Sequence, residues 1–300
     1  MLRTLIDMLR LPHRAQHVLG VNARNRLLVR RYNQRKHYPL ADDKIRAKEL
    51  LLAAGVPVPR TLAEFSSLIE ALRAAETLQA HAEFVVKPAN GRGGNGILVL
   101  VGRTSGGWLD HGGRLYTPRA VMQHISNIIF GNYAHGLSDR ALVEERLVQA
   151  PLVGTQLLPG LPDIRVITLR GVPLLSMLRL PTQRSHGKAN LHQGAIGVGV
   201  DLDTGRTTYA TFRGRPVERH PDTDAPLVGQ LLPRWPDVLD VASRAARAFP
   251  LGYLGIDVAL DARRGPVVLE ANVRPGLEIQ NANLQGLRAI AAAAADRSVA

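Results

Sequence analysis

The chain has 300 residues, 45% of them hydrophobic and 21% charged, with a formal net charge of +13 and no cysteine. That balance suits one large or two modest packed domains and excludes wholesale disorder, while the missing cysteines exclude disulfides, thiolate metal sites and cysteine nucleophiles. No apolar run approaches the roughly 18–20 residues that span a bilayer, and the N-terminus lacks the apolar core of a secretory signal, which points to the cytoplasm.

The charge is uneven. Residues 1–40 hold nine Arg or Lys against one acid, Asp7, and the other 260 residues hold 29 basic and 24 acidic groups. A basic N-terminal arm is therefore expected on a nearly balanced body, open to a partner protein or an anionic surface. Tyr32 and Tyr38 are its only aromatic residues, too few for a base-stacking surface, so nucleic acid is disfavoured. An alternative is that the arm packs on the body with its arginines solvated.

Asp42-Asp43-Lys44 opens a predicted helix to Ala54, capped by Asp42 or Asp43 and stopped at Gly55. A second helical stretch is read over Leu62–Ala80. Phe84–Lys87 reads as a strand, Pro88–Gly96 as a glycine loop, and Ile97–Val101 as a strand. Residues 103–140 carry loops around a helix near Pro118–Phe130, and Ala141–Leu147 reads as a strand. Hairpins follow at Asp163–Leu169 with Val172–Leu180, and at Val198–Leu202 with Arg206–Phe212. A helix is expected from Pro236 to Phe249. Two strands flank the Asp261–Gly265 turn, and a last helix covers Leu284–Ala295. Hairpins dominate and βαβ alternation is sparse, so the class is α+β.

Gly91-Arg-Gly93-Gly94-Asn95-Gly96 matches G-x-G-x-x-G, but Ile97-Leu98 stand where a P-loop has Lys-Ser/Thr. A dinucleotide fingerprint needs a helix next, and a β-rich run follows instead. What remains is a strand–loop–strand flap whose N–H groups close over phosphates, with Lys87 at its entrance as a point charge. Taken alone, the loop fits a plain surface hairpin equally well. Near the C-terminus, Glu270 and Asn272 lie two apart on one strand and so share a face, and Asp257 on the neighbouring strand joins them. Three hard oxygen ligands in apolar strands suit Mg²⁺ better than an ordinary charged hairpin face.

In order, Asp43-Lys44, Val86-Lys87-Pro88 with the flap, Val143-Glu144-Glu145-Arg146-Leu147, Asp163-Ile-Arg165, Asn190-Leu-His192-Gln-Gly194, Asp257 and Glu270-Ala-Asn272-Val-Arg274-Pro-Gly276 resemble an ATP-grasp carboxylate–amine ligase, nearest the RimK-like α-L-glutamate ligases. The resemblance implies an ATP-grasp fold, two α+β subdomains gripping ATP, with the arm at 1–40 and subdomains at 41–140 and 141–300. It implies ATP and one or two Mg²⁺ ions, with Mn²⁺ as a substitute, and amino-acid plus amine or peptide substrates. Lys44 and Lys87 would bind phosphates under the flap of Gly91, Gly93, Gly94, Asn95 and Gly96. Glu144, Glu145, Arg146 and Leu147 would form the adenine hinge, Glu144 taking the exocyclic amine and the backbone near Arg146 and Leu147 completing the contact. Asp257, Glu270 and Asn272 would hold the metal. Arg165 and Arg179 would face the acyl phosphate or substrate carboxylate, with Asn190 and Arg274 nearby and Asp163 orienting Arg165. A partner chain or oligomer would complete a site that lacks the family's usual N-terminal domain. The competing reading is a nucleotide-binding module without ligase activity that recruits a complex through the basic arm.

Overall fold

A computed structural model describes residues 17–91, 93–134, 136–152 and 160–297. The chain forms two compact units. The smaller comprises Asp43–Lys48 and Val58–Val148, and the larger comprises Met1–Asp42, Glu49–Pro57 and Gln149–Ala300.

The smaller unit begins with helix α1 (Lys44–Ala53), whose first residues belong to it. Asp43 caps that helix, its Oδ1 accepting from the N–H groups of Ile45 (3.0 Å) and Arg46 (3.2 Å). Gly55 stops it with φ +65°. The expected helix over Leu62–Ala80 is corrected: Thr61–Phe65 is a strand, β1, and helix forms only at α2 (Leu68–Leu72) and α3 (Ala74–Leu78). Ser67 is extended and caps α2 through its hydroxyl, so helix cannot propagate back into 61–65, which pairs with 141–144 instead. Strands β2 (Phe84–Pro88) and β3 (Leu98–Leu100) flank the glycine loop as expected. Strands β4 (Gly102–Thr104), β5 (Gly107–Leu109) and β6 (Leu115–Tyr116) form a small sheet unforeseen in the sequence. Helix α4 (Pro118–Ile129) then packs Val121, Ile125 and Ile128 against Phe84, Val86, Trp108 and Val143. Strand β7 (Ala141–Glu144) completes a four-stranded sheet of order β1-β7-β2-β3.

The larger unit is built on an antiparallel sheet of order β12-β11-β10-β9-β8-β13-β14. Its strands are β8 (Asp163–Leu169), β9 (Val172–Leu180), β10 (Ile196–Val200), β11 (Thr207–Phe212), β12 (Arg215–Pro216), β13 (Tyr253–Asp261) and β14 (Gly265–Asn272). Helix α5 (Trp235–Arg247) covers the sheet with Val238, Ala242 and Ala245 fully buried. The last helix, expected over Leu284–Ala295, is α7 (Leu287–Arg297), and a short helix unforeseen in the sequence, α6 (Glu278–Asn283), precedes it. Leu284 takes a left-handed backbone (φ +50°), which ends α6 at the point where a helix was expected to start.

Over its described part, the basic N-terminal segment is folded onto the larger unit. Leu19, Leu28 and Val29 are buried, and Arg24 is buried with its Nη1 donating to the Pro275 carbonyl at 2.5 Å. Asn33 acts as a strand neighbour for Tyr253, donating to its carbonyl (2.7 Å) and accepting from its N–H (2.8 Å). Asn33→Ala leaves both Tyr253 backbone groups unpaired in a buried place. We expect a loss of about 1–3 kcal/mol in urea unfolding, and a loss below about 0.5 kcal/mol would contradict this reading.

Candidate active site

In the smaller unit, the site is a buried carboxylate between two lysines. Glu144 ends β7 and lies directly across from Val85 on β2, two residues before Lys87 on the same face. Lys48, four residues after Lys44 on α1, reaches the same carboxylate, so Glu144 pairs with Lys48 through Oε1 and with Lys87 through Oε2. Lys48 also donates to the Thr61 hydroxyl at 3.0 Å. Burial alone would push the Glu144 carboxyl up, but the two ammonium groups outweigh it and hold it below the usual carboxylate range. For Lys48 the balance is reversed. Burial lowers it, Glu144 only partly compensates, and Lys87 adds repulsion. The two directions agree once the carboxylate is seen as shared: one negative charge serves two positive ones. The contact triad therefore carries a net +1 in a poorly solvated place, an arrangement suited to an anion.

The glycine loop sits beside Lys44, whose Nζ donates to the Gly91 carbonyl at 2.7 Å. Gly93, Gly94 and Gly96 all have φ between +66° and +76°, so side chains there would be strained. A β-carbon on Gly96 would also meet the Tyr133 ring at 2.6 Å. Asn95 is exposed at the turn, and the Gly96 carbonyl bonds the His124 ring at 2.9 Å. The hinge residues are spread differently. The Glu145 carboxylate accepts from Arg60 N–H (2.7 Å), Arg146 pairs with Glu83 (2.6 Å), and Leu147 is buried.

In the larger unit, strand register assembles a row of charges on one sheet face. Asp257 on β13 is the cross-strand partner of Arg165 on β8 and of Glu270 on β14. Asp163, two residues before Arg165, is the partner of Arg179 on β9. Arg165 grips Asp257 through Nε (2.7 Å) and Nη2 (2.6 Å), and its Nη2 is 4.0 Å from Glu270. Arg179 holds Asp163 in the same two-point fashion, with Nη2 also on Asp257 at 2.7 Å. The expectation that Asp163 orients Arg165 is corrected: Asp163 is bonded to Arg179, because register sets those two opposite each other. Burial would push Asp257 up, but the two guanidiniums outweigh it and hold it well below the usual range. Asp163 goes the other way, raised by burial with Arg179 pulling against it. Both arginines use Nε and Nη2 on carboxylates and leave Nη1 without a hydrogen bond among the described residues.

The donor set fits a hard cation. The Asn272 amide lies 3.2 Å from both Asp257 Oδ2 and Glu270 Oε1, so three oxygen-bearing groups converge. Amide nitrogen and oxygen exchange by a simple flip of the side chain. Three carboxylates against two guanidiniums leave this row with a net negative charge. Among the described residues no three His, Asp or Glu side chains gather to hold a metal. A Mg²⁺ here would rest on two carboxylates, one amide and phosphate oxygens, which is its usual preference. Two further expected members have other contacts. Asn190 caps a short turn, accepting from His192 N–H at 3.0 Å, and Arg274 lies over the Tyr38 ring, 4.0 Å from Asp42.

Sequence reasoning missed Lys48. The signal was present, since Lys44 and Lys48 stand four apart on one helix face in a chain with five lysines.

Three comparisons bear on these arrangements. A probable α-L-glutamate ligase of Maridesulfovibrio salexigens is 25% identical over 236 residues, covering 79% of this chain and 56% of its own. The ribosomal protein bS6–L-glutamate ligase of Escherichia coli is 24% identical over 263 residues, covering 83% of this chain and 64% of its own. The chain thus spans less than two-thirds of the length of these curated relatives. The solved biotin carboxylase of Campylobacter jejuni is 15% identical with a TM-score of 0.48, covering 81% of this chain and 42% of that one. The model of the sugar-transfer associated ATP-grasp family matches residues 23–295, and the chain therefore belongs to that family.

Proposed function

We propose that this chain is an ATP- and Mg²⁺-dependent ligase that forms an amide bond through an acyl phosphate, adding an amino acid such as glutamate to an amine or peptide acceptor. The observation that carries the reading is that each unit holds one charge set and that the two sets differ in sign. One is the net-positive Lys48–Glu144–Lys87 group beside a glycine loop, and the other is the net-negative Asp257–Glu270–Asn272 group ringed by arginines. The relatives named as glutamate ligases support the choice of amino acid.

In the reaction, a carboxylate oxygen attacks the γ-phosphorus of ATP and ADP leaves. The amine nitrogen then attacks the acyl carbon, loses a proton, and phosphate departs. Such transfers need positioning and charge neutralisation more than a protein nucleophile. Lys44, Lys87 and the loop N–H groups serve the polyphosphate. Asp257, Glu270 and Asn272 would hold Mg²⁺, which neutralises phosphate oxygens when bound. The free Nη1 groups of Arg165 and Arg179 would hold the acyl phosphate or the substrate carboxylate, their planes fixed by Asp163 and Asp257. Asn190 and Arg274 would stand at the substrate end. Because Glu144 is engaged by Lys48 and Lys87, we leave the adenine contact with the backbone near Arg146 and Leu147.

The expected result is that Lys87→Ala weakens ATP binding at least tenfold by calorimetry, about 1.4 kcal/mol or more. Unchanged affinity would remove Lys87 from the nucleotide site. A nucleotide-binding module without ligase chemistry would show the same binding but release no ADP.

A further inference from the structure

The basic N-terminal segment is used by the fold on one side only. Val21–Arg24, Asn25–Val29 and Arg30–Tyr32 are successive helical stretches, followed by a short turn over Arg35–His37. Arg24, Leu28 and Val29 are buried against the larger unit, whereas Arg26 and Arg30, four apart, are exposed, as are Arg31, Arg35 and Lys36. No Asp or Glu occurs from His17 to Ala41. Among the described residues Arg26, Arg30, Arg35 and Lys36 have no ion-pair partner. Exposed arginines elsewhere on this unit stand beside acids: Arg219 with Asp224, Arg234 with Asp237 and Arg244 with Asp240.

The β8–β9 turn enlarges this face. The Arg31 and Arg170 guanidiniums both lie over the Tyr32 ring, 5.5 and 5.4 Å from its centroid, which ties Arg170 to the segment. The stem of Arg247 lies against the next residue, Gly171, where a β-carbon would meet its Cγ at 2.6 Å. Arg170 and Arg247 are both exposed. Arg170 lies past the end of β8 opposite Asp163 and Arg165, roughly 16 Å from the latter along an extended strand, so the carboxylate row is elsewhere on the sheet. Like charges four apart weaken a helix. A row of cations that bears this cost, with no acid in its own segment, is placed to meet negative charge outside the chain.

We infer that this face docks the larger unit on the surface of a bilayer containing anionic lipid. Clusters of about four to eight Lys or Arg on a helix suit a field of anionic headgroups. From His17 to Ala41 no Trp, Phe, Tyr or Leu is exposed, so the face lacks an anchor for a protein pocket and a platform for a base. It does expose Val18 (46%) and Val21 (59%) at the start of the helix, which suits shallow contact at the headgroup boundary. The sequence just before it, outside the described residues, places Leu2, Leu5, Ile6 and Leu9 at helical spacing beside Arg3, Arg10 and Arg14, the same chemistry. The inference does not rest on the ligase reading, and its test needs no ATP.

The test is co-sedimentation of the full chain with vesicles of phosphatidylcholine alone and of equimolar phosphatidylcholine and phosphatidylglycerol, beside titration with duplex DNA and single-stranded RNA at the same salt. Wild type is compared with Arg26→Gln/Arg30→Gln/Arg35→Gln and with a control that removes the same charge elsewhere on the unit, Arg213→Gln/Arg215→Gln/Arg263→Gln. We expect wild type to bind the anionic vesicles, less tightly as salt rises, and not the neutral ones. The first triple variant should lose about fivefold per cation, on the order of a hundredfold in all, and the control less than about tenfold. All six arginines are exposed, so both variants should melt at the wild-type temperature. Should the triple variant unfold, Arg30→Gln alone, with its loss of about fivefold, carries the same test. The inference is overturned if anionic vesicles do not bind wild type, if neutral vesicles bind it equally, or if the control loses as much as the triple variant. Tighter binding of DNA or RNA than of anionic vesicles would assign the face to nucleic acid and overturn the membrane assignment.

Discussion

Glu144→Gln should destabilise the smaller unit by about 3–5 kcal/mol, the usual loss when one partner of a buried ion pair is removed. The substitution leaves Lys48 and Lys87 facing each other, their side chains only 9% and 14% exposed, with no carboxylate shared between them. The effect has a pH signature. The Glu144 carboxyl is held below its unfolded value, so its contribution is fully present above about pH 4.3, the unfolded carboxyl value. It is lost as pH falls towards the lowered folded value. The gap between wild type and variant in urea unfolding should therefore be widest near neutrality and shrink below about pH 4. A second substitution, Lys48→Met in the Glu144→Gln background, should recover part of the loss, because it removes one unmatched charge. A gap below about 1 kcal/mol at neutral pH would show that the triad is solvated and carries little energy.

Glu270→Gln should reduce ADP formation by about a thousandfold or more, the scale of losing one preorganised group that stabilises transferring charge, while leaving the fold intact. The two outcomes separate because Glu270 is half-exposed, with a side chain 37% accessible, and is bonded to the Asn272 amide at 3.2 Å. Its neighbour behaves differently. Asp257 is 1% exposed and carries two guanidiniums, so Asp257→Asn is expected to lower activity and stability together. Glu270 is thus the cleaner probe of the proposed metal-binding role. Near-normal turnover in Glu270→Gln with an unchanged melting curve would remove it from that role.

Much of this was legible in the residues. The Asp163–Leu169 and Val172–Leu180 hairpin is found at the expected bounds, because two mostly apolar, mostly buried strands joined by an Arg170-Gly171 turn leave little freedom. The shared face of Glu270 and Asn272 followed from strand periodicity, and register adds that Asp257 is the direct cross-strand partner of Glu270. What the sequence could not supply was a register shift within a hairpin, or contacts between elements distant in the chain. Asp163 faces Arg179 because the β8–β9 register shifts by one residue between Ile167 and Thr168, which no local spacing marks. Distance in the chain hid the Lys48–Glu144 pair, which joins a helix to a strand 96 residues later. Thr61–Phe65 was misread because Leu62 and Phe65 fit helical spacing, while the partner strand at 141–144 that overrides it lies far away. The association with sugar transfer in the family description has no counterpart among the motifs read from the chain.

The most direct measurement of the central claim is ADP release by the purified chain with ATP and Mg²⁺, across the twenty amino acids, alone and with short peptides, with Glu270→Gln as the blank. The account predicts release stimulated by one amino acid, glutamate foremost, and absent from the blank. ATP binding without release above the blank under every condition would contradict the ligase reading and leave a nucleotide-binding module in its place.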